Sequence, residues 1–404
     1  LAEQEVDSMI RRKAFMEMLM KLKDQHVIKV VTGVRRCGKS TLLRMFREEL
    51  ISSGVSAKCC IAVNFEDIRY EELKEYHKLY DYILEQLVLG EKNYIFLDEI
   101  QEVPQFQKAV DSLLLREDVD IYLTGSNAYM LSGELATLLS GRYIEVNMLP
   151  LSFREYYEIK ADKMDKKAAF QLYMQKGGFP YSSTLDDEWV RREYLQGIYN
   201  TVLLKDIVSR KRITDVPLLE AIIKFLLDNV GNIVSAKKIA DTLTSDGRKT
   251  SAVTVDSYIQ SLKDAFILYE ADRYDIKGRQ LLKSLEKYYV VDVGFRSLIL
   301  GERTRDLGHI LENIVYLELI RRGCQVYIGK IGNLEVDFIA EKNGEKIYYQ
   351  VAATILDPAT YDREFAPLKA ISDNYPKYVL TLDEFPMGED GINQKNVVEF
   401  LMEE

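Results

Sequence analysis

The sequence predicts an α/β fold that begins with a parallel β-sheet and ends with a second α/β domain, with helical segments between them. In the first 150 residues, short runs of β-forming residues alternate with segments of helical periodicity. Such alternation favours a parallel sheet with right-handed crossovers. After residue 300, an amphipathic helix precedes several predicted strands, two of which are joined by the turn KNGEK at 342–346.

Changes of pattern along the chain predict four domains. The predicted strands of the first sheet are residues 27–31, 58–65, 94–97, 120–124 and 143–148. Mostly helical periodicity follows residue 150, and GGFP at 177–180 interrupts it. The predicted domains are 1–150, an N-terminal helix with the parallel sheet; 151–214, a helical lid; 215–300, a winged helix-turn-helix; and 301–404, the second α/β domain.

The composition of the 404 residues excludes several classes of protein. There is no uninterrupted apolar run of about 18 residues, so no transmembrane helix and no membrane partner is expected. The four cysteines form no CxxC pair and the three histidines are scattered, so neither a zinc site nor a disulfide framework is expected. The expected compartment is a reducing cytoplasm. The net charge of −10 excludes a uniformly basic surface but allows a local basic face.

A glycine-rich loop with the spacing of a phosphate cradle follows the first predicted strand. TGVRRCGKS fits the pattern G-x-x-x-x-G-K-[ST], and a helical pattern follows it. The glycines allow close backbone approach, the backbone N–H groups face a phosphate, the lysine adds a charge, and the serine hydroxyl can hold Mg²⁺. The expected nucleotide-binding residues are Gly33, Val34, Arg35, Arg36, Cys37, Gly38, Lys39, Ser40 and Thr41. Modification of the Cys37 thiol is expected to depend on bound nucleotide.

A second motif, which is acidic, predicts the residues that hold the metal and the residue that acts as catalytic base. The apolar strand in NYIFLDEIQ ends at Asp98 and Glu99, and strand ends of this kind lie beside the phosphate loop in a doubly wound sheet. We expect Asp98, with Ser40, to hold Mg²⁺ and Glu99 to polarise the attacking water.

Two later motifs offer further site residues. DVDIYLTGSNAYML predicts a buried strand that ends in small polar residues. In ATPases that resemble this chain, a polar residue at this place senses the γ-phosphate, so Ser126 or Asn127 is the candidate, with Thr124 behind them. A simple turn after a core strand is the alternative. Arg142 in LLSGR is either an arginine finger that completes a site, in the same chain or in a neighbour, or an ordinary surface arginine.

Together these motifs resemble an AAA+-type P-loop ATPase family that joins its ATPase domain to a C-terminal domain of unknown function. The motifs are TGVRRCGKSTLL (Walker A), YIFLDEIQ (Walker B), YLTGSNA, LLSGR and LPLSFREYYE, and the resemblance continues through GGFP and YNTVLLKDIVSRKRI. An extra strand between the loop strand and the acidic strand marks this branch of P-loop proteins. No NKxD guanine signature occurs, so ATP is the expected nucleotide.

The segment 215–300 has the pattern of a winged helix-turn-helix. Helices are predicted at 216–231, at 235–243 and within 250–270, and a hairpin with Gly278 at its turn follows. Its third helix carries few basic residues, so the wing is expected to contact a DNA backbone rather than bases. A protein-protein module is the alternative. The nearby basic residues are Arg248, Lys249, Lys263, Arg273, Lys277, Arg279 and Lys283.

The last domain resembles the restriction-endonuclease-like PD-(D/E)xK fold. In that family, two acids and an (E/Q)xK motif surround Mg²⁺, and the resemblance assigns these positions to Glu312, Asp337 and Gln350. The lysine position holds Ala352, so the site is expected to lack its cation and nuclease activity is not expected. The fold would then serve as a DNA-binding or partner-binding body, or these acids occupy ordinary turns.

Three functions are compatible with these motifs. The first is a Mg-dependent ATPase that drives a switch in DNA-associated modules. The second is an ATP-dependent protein-interaction switch, which the acidic net charge favours. The third is an ATP-gated nuclease. A homo-oligomer is compatible with each, because an arginine finger acting between chains needs a neighbour.

Overall fold

The chain divides into two compact units. The computed structural model describes residues 10–125, 139, 141–208, 213–301 and 306–403. The first unit holds the described residues up to Pro150 together with Asp264–Phe266, and the second holds Leu151–Lys263 and Ile267 onward.

The first unit contains a five-stranded parallel sheet with the order β2-β3-β4-β1-β5. Its elements are α1 (Lys13–Leu22), β1 (Ile28–Thr32), α2 (Lys39–Ser52), β2 (Cys60–Asn64), α3 (Tyr76–Gln86), β3 (Asn93–Asp98), α4 (Phe106–Leu114), β4 (Val119–Thr124) and β5 (Tyr143–Asn147). The predicted extra strand is confirmed, since β4 lies between β1 and β3. The central strands β1, β3 and β4 are buried along their whole length, as expected for a parallel sheet covered on both faces.

Two charged residues are buried within the central strands and satisfy each other. The Lys29 ammonium group of β1 contacts the Asp120 carboxylate of β4, and both side chains are buried. The Asp120 carboxylate also accepts hydrogen bonds from the Tyr122 hydroxyl at 2.8 Å and from the Asp24 backbone N–H at 2.9 Å. Burial lowers the pKa of Lys29, against the opposing effect of Asp120. The pair therefore satisfies two charges that would otherwise be costly inside the sheet.

The second unit begins with helices and continues into a mixed eight-stranded sheet. The helical part contains α5 (Phe153–Lys160), α6 (Lys166–Lys176), α7 (Pro180–Thr184), α8 (Glu188–Thr201) and a π-helical segment (Val202–Val208). Helices are thus present where the sequence predicts a lid, while the lid role itself stays a prediction.

The three helices and the hairpin expected between 215 and 300 are present. They are α9 (Val216–Asp228), α10 (Ala236–Ser245), α11 (Ala252–Asp264) and the antiparallel pair β7 (Leu268–Asp275) and β8 (Gln280–Val290), with the short strand β6 (Ile233–Val234) paired to β8. Ser235 caps α10 by accepting a hydrogen bond from the Lys238 backbone N–H, as its position before the helix predicts.

The remaining elements extend the same sheet. They are α12 (Val293–Leu300), α13 (Leu307–Arg321), β9 (Gln325–Ile331), β10 (Leu334–Lys342), β11 (Glu345–Val351), α14 (Pro358–Lys369), β12 (Lys377–Thr381), β13 (Ile392–Asn396) and α15 (Val397–Met402). The strand order is β13-β12-β11-β10-β9-β7-β8-β6, and β7 pairs with β9 in parallel. The hairpin thus shares one sheet with the C-terminal strands, which the sequence pattern did not indicate. The four-domain division stays a prediction.

A buried carboxylate lies so close to the backbone of GGFP that its first position requires glycine. Asp292 accepts hydrogen bonds from the backbone N–H groups of Gly178 at 2.6 Å and Gly294 at 2.8 Å. A Cβ atom on Gly177, whose φ is +74°, would lie 1.9 Å from Oδ1 of Asp292. Burial raises the pKa of Asp292 to about 7.

The raised pKa of Asp292 predicts a pH-dependent stability. Because the folded-state pKa lies above the unfolded value of 3.8, the stabilisation is full below that value and is lost as the pH rises through about 7. Between pH 5 and 8, wild type should lose about 2 to 3 kcal/mol relative to the Asp292→Asn variant. Urea unfolding of both proteins at the two pH values measures this difference. Asp165→Asn, at an exposed cap of α6, is the control, and it should lose the same stability as wild type because it keeps Asp292.

Candidate active site

The loop between β1 and α2 has a backbone that glycine alone can adopt at its first position. Gly33 has a φ of +139°, and a Cβ atom there would lie 2.2 Å from the Met148 backbone oxygen. Gly38 has a φ of +103° and immediately precedes α2. The loop therefore leads directly into a helix N-terminus, where unpaired N–H groups favour an anion.

Lys39 lies folded against this loop. Its side chain is buried, and its ammonium group donates to the backbone oxygens of Gly33 at 3.0 Å and Val34 at 3.1 Å. The positive charge thus lies against two carbonyl oxygens of the loop, and its contact with a phosphate stays a prediction.

Ser40 and Asp98 are brought together as the sequence predicts. The Ser40 hydroxyl donates to Oδ1 of Asp98 at 3.0 Å, and the Thr124 hydroxyl donates to the same oxygen. Burial raises the pKa of Asp98, and these two hydroxyl groups oppose the shift. A hydroxyl and a carboxylate are oxygen ligands of the kind Mg²⁺ takes beside nucleotide phosphates, so the two residues fit that ion.

Glu99 lies next to this pair in a strained conformation. Its φ is +55°, and its backbone N–H donates to the Thr124 hydroxyl at 2.9 Å. Its carboxylate accepts a hydrogen bond from the side-chain amide of Gln101. Left-handed backbone at a non-glycine residue is uncommon and concentrates at functional sites. The sequence motifs assign no role to Gln101, although its position two residues after Glu99 in LDEIQ is a usable signal.

Arg142 lies at the opposite end of the sheet from the loop. Its backbone oxygen accepts from the Ile28 N–H at the start of β1, whereas the loop follows Thr32 at the strand's other end. At about 3.3 Å per residue, that separation is roughly 15 Å. The exposed Arg142 side chain acts electrostatically on Asp111 instead. The structure therefore does not bring Arg142 to this chain's own loop.

The two arginines of the loop differ in their surroundings. The guanidinium of Arg35 donates to Glu66 at 2.7 Å, while Arg36 is exposed with a φ of +67°.

Ser126 and Asn127 lie outside the described residues, so their sensor role stays a prediction.

The structure does not favour the expected nucleotide-dependent modification of Cys37, because the thiol lies inside the protein. Its side chain is completely buried, and its thiol lies 3.3 Å from the Met148 backbone oxygen, to which it donates. Burial also raises the pKa of the thiol. The sequence motif leaves this position free, and only the packing shows that the side chain faces inward.

Arg12 is a further residue that the sequence analysis missed. It immediately precedes α1 and is buried, and its guanidinium donates to the backbone oxygens of Cys37 at 3.2 Å and Leu149 at 2.8 Å. It therefore ties the phosphate loop to the chain that follows β5. No local sequence pattern distinguishes it from the neighbouring Arg11.

A second charged cluster lies in the other unit. Glu312 of α13, Asp337 of β10 and Gln350 of β11 are close together, as the nuclease resemblance implies. The expectation that this cluster lacks a cation is wrong. Lys287 of β8 contacts Glu312 at 2.9 Å, whereas Ala352 packs in the apolar core. The lysine comes from a strand that precedes the predicted domain, so the motif could not indicate it.

Comparisons with known proteins match two parts of the chain to family models. Residues 25–157 match a family model described as an AAA domain, and residues 167–306 match a domain of unknown function. An uncharacterized protein of Haemophilus influenzae is 40% identical over 98% of this chain and 99% of its own length. An uncharacterized protein of Methanocaldococcus jannaschii is 31% identical over 77% of this chain and 71% of its own length.

The chain belongs to the same family as these two relatives, and its residues 25–157 form the AAA domain. A Walker-type ATPase of Pyrococcus abyssi shares the fold, with a TM-score of 0.50, 17% identity, and coverage of 72% of this chain and 96% of that one. The match to an AAA domain supports nucleotide binding, whereas the shared fold by itself implies no function. In the described parts of the chain, no helix combines the length and apolar character that crossing a membrane requires.

The burial of Cys37 predicts its reactivity. In the native protein, the half-buried Cys324 should react with a thiol reagent, and Cys37, Cys59 and Cys60 should react only after unfolding. A thiol titration with and without ATP should give the same native count. Cys324→Ser should abolish the reaction of the native protein, and Cys37→Ser should leave that reaction unchanged. A weaker native reaction in Cys37→Ser would contradict the buried position of Cys37.

Proposed function

We propose that this protein binds ATP with Mg²⁺ at the loop of residues 33–41 and hydrolyses it. The observation that carries the proposal is the hydrogen bond between Ser40 and Asp98, which joins the start of α2 to the end of β3. Glu99 follows Asp98 directly, so a potential base lies beside the oxygen pair suited to the metal.

The residues of the chain divide the reaction between them. The loop N–H groups and Lys39 would hold the outer phosphates, and Ser40 and Asp98 would hold Mg²⁺, which supplies charge neutralisation on the phosphate oxygens when bound. Glu99 would accept a proton from water as the water oxygen bonds to the γ-phosphorus and the bond to the leaving ADP oxygen breaks. Gln101, through its hydrogen bond, would orient the Glu99 carboxylate.

Replacement of the base tests this assignment. Glu99→Gln keeps the size of the side chain but cannot accept the proton, so ATP turnover should fall by about 100-fold or more while nucleotide binding is retained. Phosphate release and titration with a fluorescent ATP analogue measure the two quantities. Glu102→Gln, in the same short turn, is the matched control and should keep normal turnover. Normal turnover in Glu99→Gln would refute the role of Glu99.

We further propose that ATP drives a switch in modules that contact DNA, with 215–300 acting as a winged helix. The hairpin turn between β7 and β8 exposes Lys277 and Arg279, and the loop before α11 exposes Arg248 and Lys249. In contrast, Lys263 is ion-paired with Glu270. Exposed basic residues at a hairpin turn favour contact with the phosphate backbone rather than with bases.

The hairpin turn provides a direct test of DNA contact. The double variant Lys277→Ala/Arg279→Ala should bind duplex DNA more weakly, and the slope of log K against log salt should fall in magnitude by about 2. Fluorescence anisotropy over a salt series measures both. Lys263→Ala is the control and should keep the wild-type slope. An unchanged slope in the double variant would remove the hairpin from the proposed interface.

A protein-interaction switch is the second candidate. The net charge of −10 disfavours a polyanion as partner, and Trp189, the only tryptophan of the sequence, is 70% exposed. Tryptophan is enriched at protein interfaces. Retention of a protein partner in one nucleotide state, together with no binding to DNA, would distinguish this function from the first.

Arg142 fits an assembly of several copies better than a single chain. Because it is exposed and distant from its own loop, a role as an arginine finger requires that it reach the loop of a neighbouring copy. A homo-oligomer is therefore part of the proposal, and the exposed surface arginine is the alternative.

A further inference from the structure

The nuclease resemblance implies a divalent cation among Glu312, Asp337 and Gln350, and the surroundings of these residues do not fit one. The ammonium nitrogen of Lys287 lies 2.9 Å from Glu312, 2.8 Å from Glu335 and 3.9 Å from Asp337. The lysine side chain is only 4% exposed. A positive charge already stands between the carboxylates that would bind the metal.

Hydrogen-bond donors of the protein also face Glu312 and Asp337. The Tyr289 hydroxyl donates to Glu312 at 2.7 Å, and the Val351 backbone N–H donates to Asp337 at 2.9 Å. Asp337 lies where the pairing of β10 with β9 shifts register, and such bulges re-aim a side chain. Lys287, Tyr289 and the Val351 backbone thus supply donors to these carboxylates from within the protein.

Gln350 directs its amide nitrogen, which cannot bind a metal ion, toward a neighbouring carboxylate. Its amide oxygen accepts from the Asp337 backbone N–H at 2.7 Å, and its amide nitrogen donates to Glu364 at 2.9 Å. Arg363 donates to the other oxygen of Glu364, at 2.8 and 2.9 Å. The amide orientation follows from chemistry, because an ionised carboxylate only accepts. Among the described residues, no group of three acidic, histidine or cysteine side chains could hold a metal ion.

Backbone also approaches this cluster closely. Gly231, with a φ of +74°, lies so near Glu312 that an added Cβ atom would be 2.9 Å from the carboxylate oxygen. Its N–H donates to the Tyr288 backbone oxygen at 3.3 Å. A hydrated divalent ion keeps several waters, and this side of the carboxylate leaves them little room.

We propose that the Lys287 ammonium group takes the place of the divalent cation, so that the cluster is a metal-independent clamp within the second unit. The lysine belongs to β8 of the hairpin, whereas its acids belong to α13 and β10. The clamp joins the hairpin to the C-terminal part of the sheet, where β7 and β9 pair over only three residues. A lysine charge needs no metal supply and repels a second cation.

Manganese binding to the full-length protein tests the clamp. In nucleotide-free wild type, titration with Mn²⁺ followed by electron paramagnetic resonance should give the same curve as Asp337→Asn, because neither protein binds the ion in the cluster. EDTA should leave the wild-type melting temperature unchanged. Manganese binding that is present in wild type and lost in Asp337→Asn would overturn the proposal.

Removal of the lysine should convert the clamp into an unbalanced acid cluster. Lys287→Met should lower the melting temperature by roughly 10 °C, since one partner of a buried ion pair is lost. Mn²⁺ should restore part of that loss in Lys287→Met and have no effect in Lys346→Met, a control on the partly buried pair with Glu341. A melting temperature equal to that of wild type would contradict the clamp. If Lys287→Met does not fold, the wild-type manganese titration decides by itself.

Discussion

One oxygen of Asp98 receives hydrogen bonds from two hydroxyl groups, and the arrangement of the first unit's site depends on it. Ser40 stands at the start of α2 and Thr124 at the end of β4, so the carboxylate links three elements. A buried carboxylate without such donors would be costly, which makes this arrangement a constraint on the fold as well as on the chemistry. Thr124 also accepts from the Glu99 backbone, so the same network sets the position of the proposed base.

The phosphate loop is held in shape by groups that do not belong to its motif. The Met148 backbone leaves room for hydrogen alone at Gly33, and Arg12 fixes the carbonyl groups of Cys37 and Leu149. The Lys39 ammonium group also donates a hydrogen bond to the Gly33 backbone oxygen of the loop. A loop that is already ordered loses less conformational entropy when a ligand binds, which favours nucleotide binding.

Buried charge organises the second unit in a different way. There, Lys287 neutralises acids that come from other elements, and the cluster connects the hairpin with the C-terminal strands. Asp292 similarly connects GGFP with the start of α12, although it does so through backbone N–H groups and without a lysine. In both places a polar group is buried because the elements around it provide its partners.

The sequence by itself determined the elements whose signals are local. Apolar runs predicted the parallel strands, the glycine and lysine spacing predicted the loop, and the acids after β3 were expected beside it because parallel strands end at one edge. Tertiary structure decided which distant residues meet. It turned the Cys37 thiol inward and brought Lys287 into the acid cluster from a strand outside the motif. The physical reason is that periodicity fixes which face a side chain occupies, whereas its neighbours depend on pairing between elements far apart in the chain.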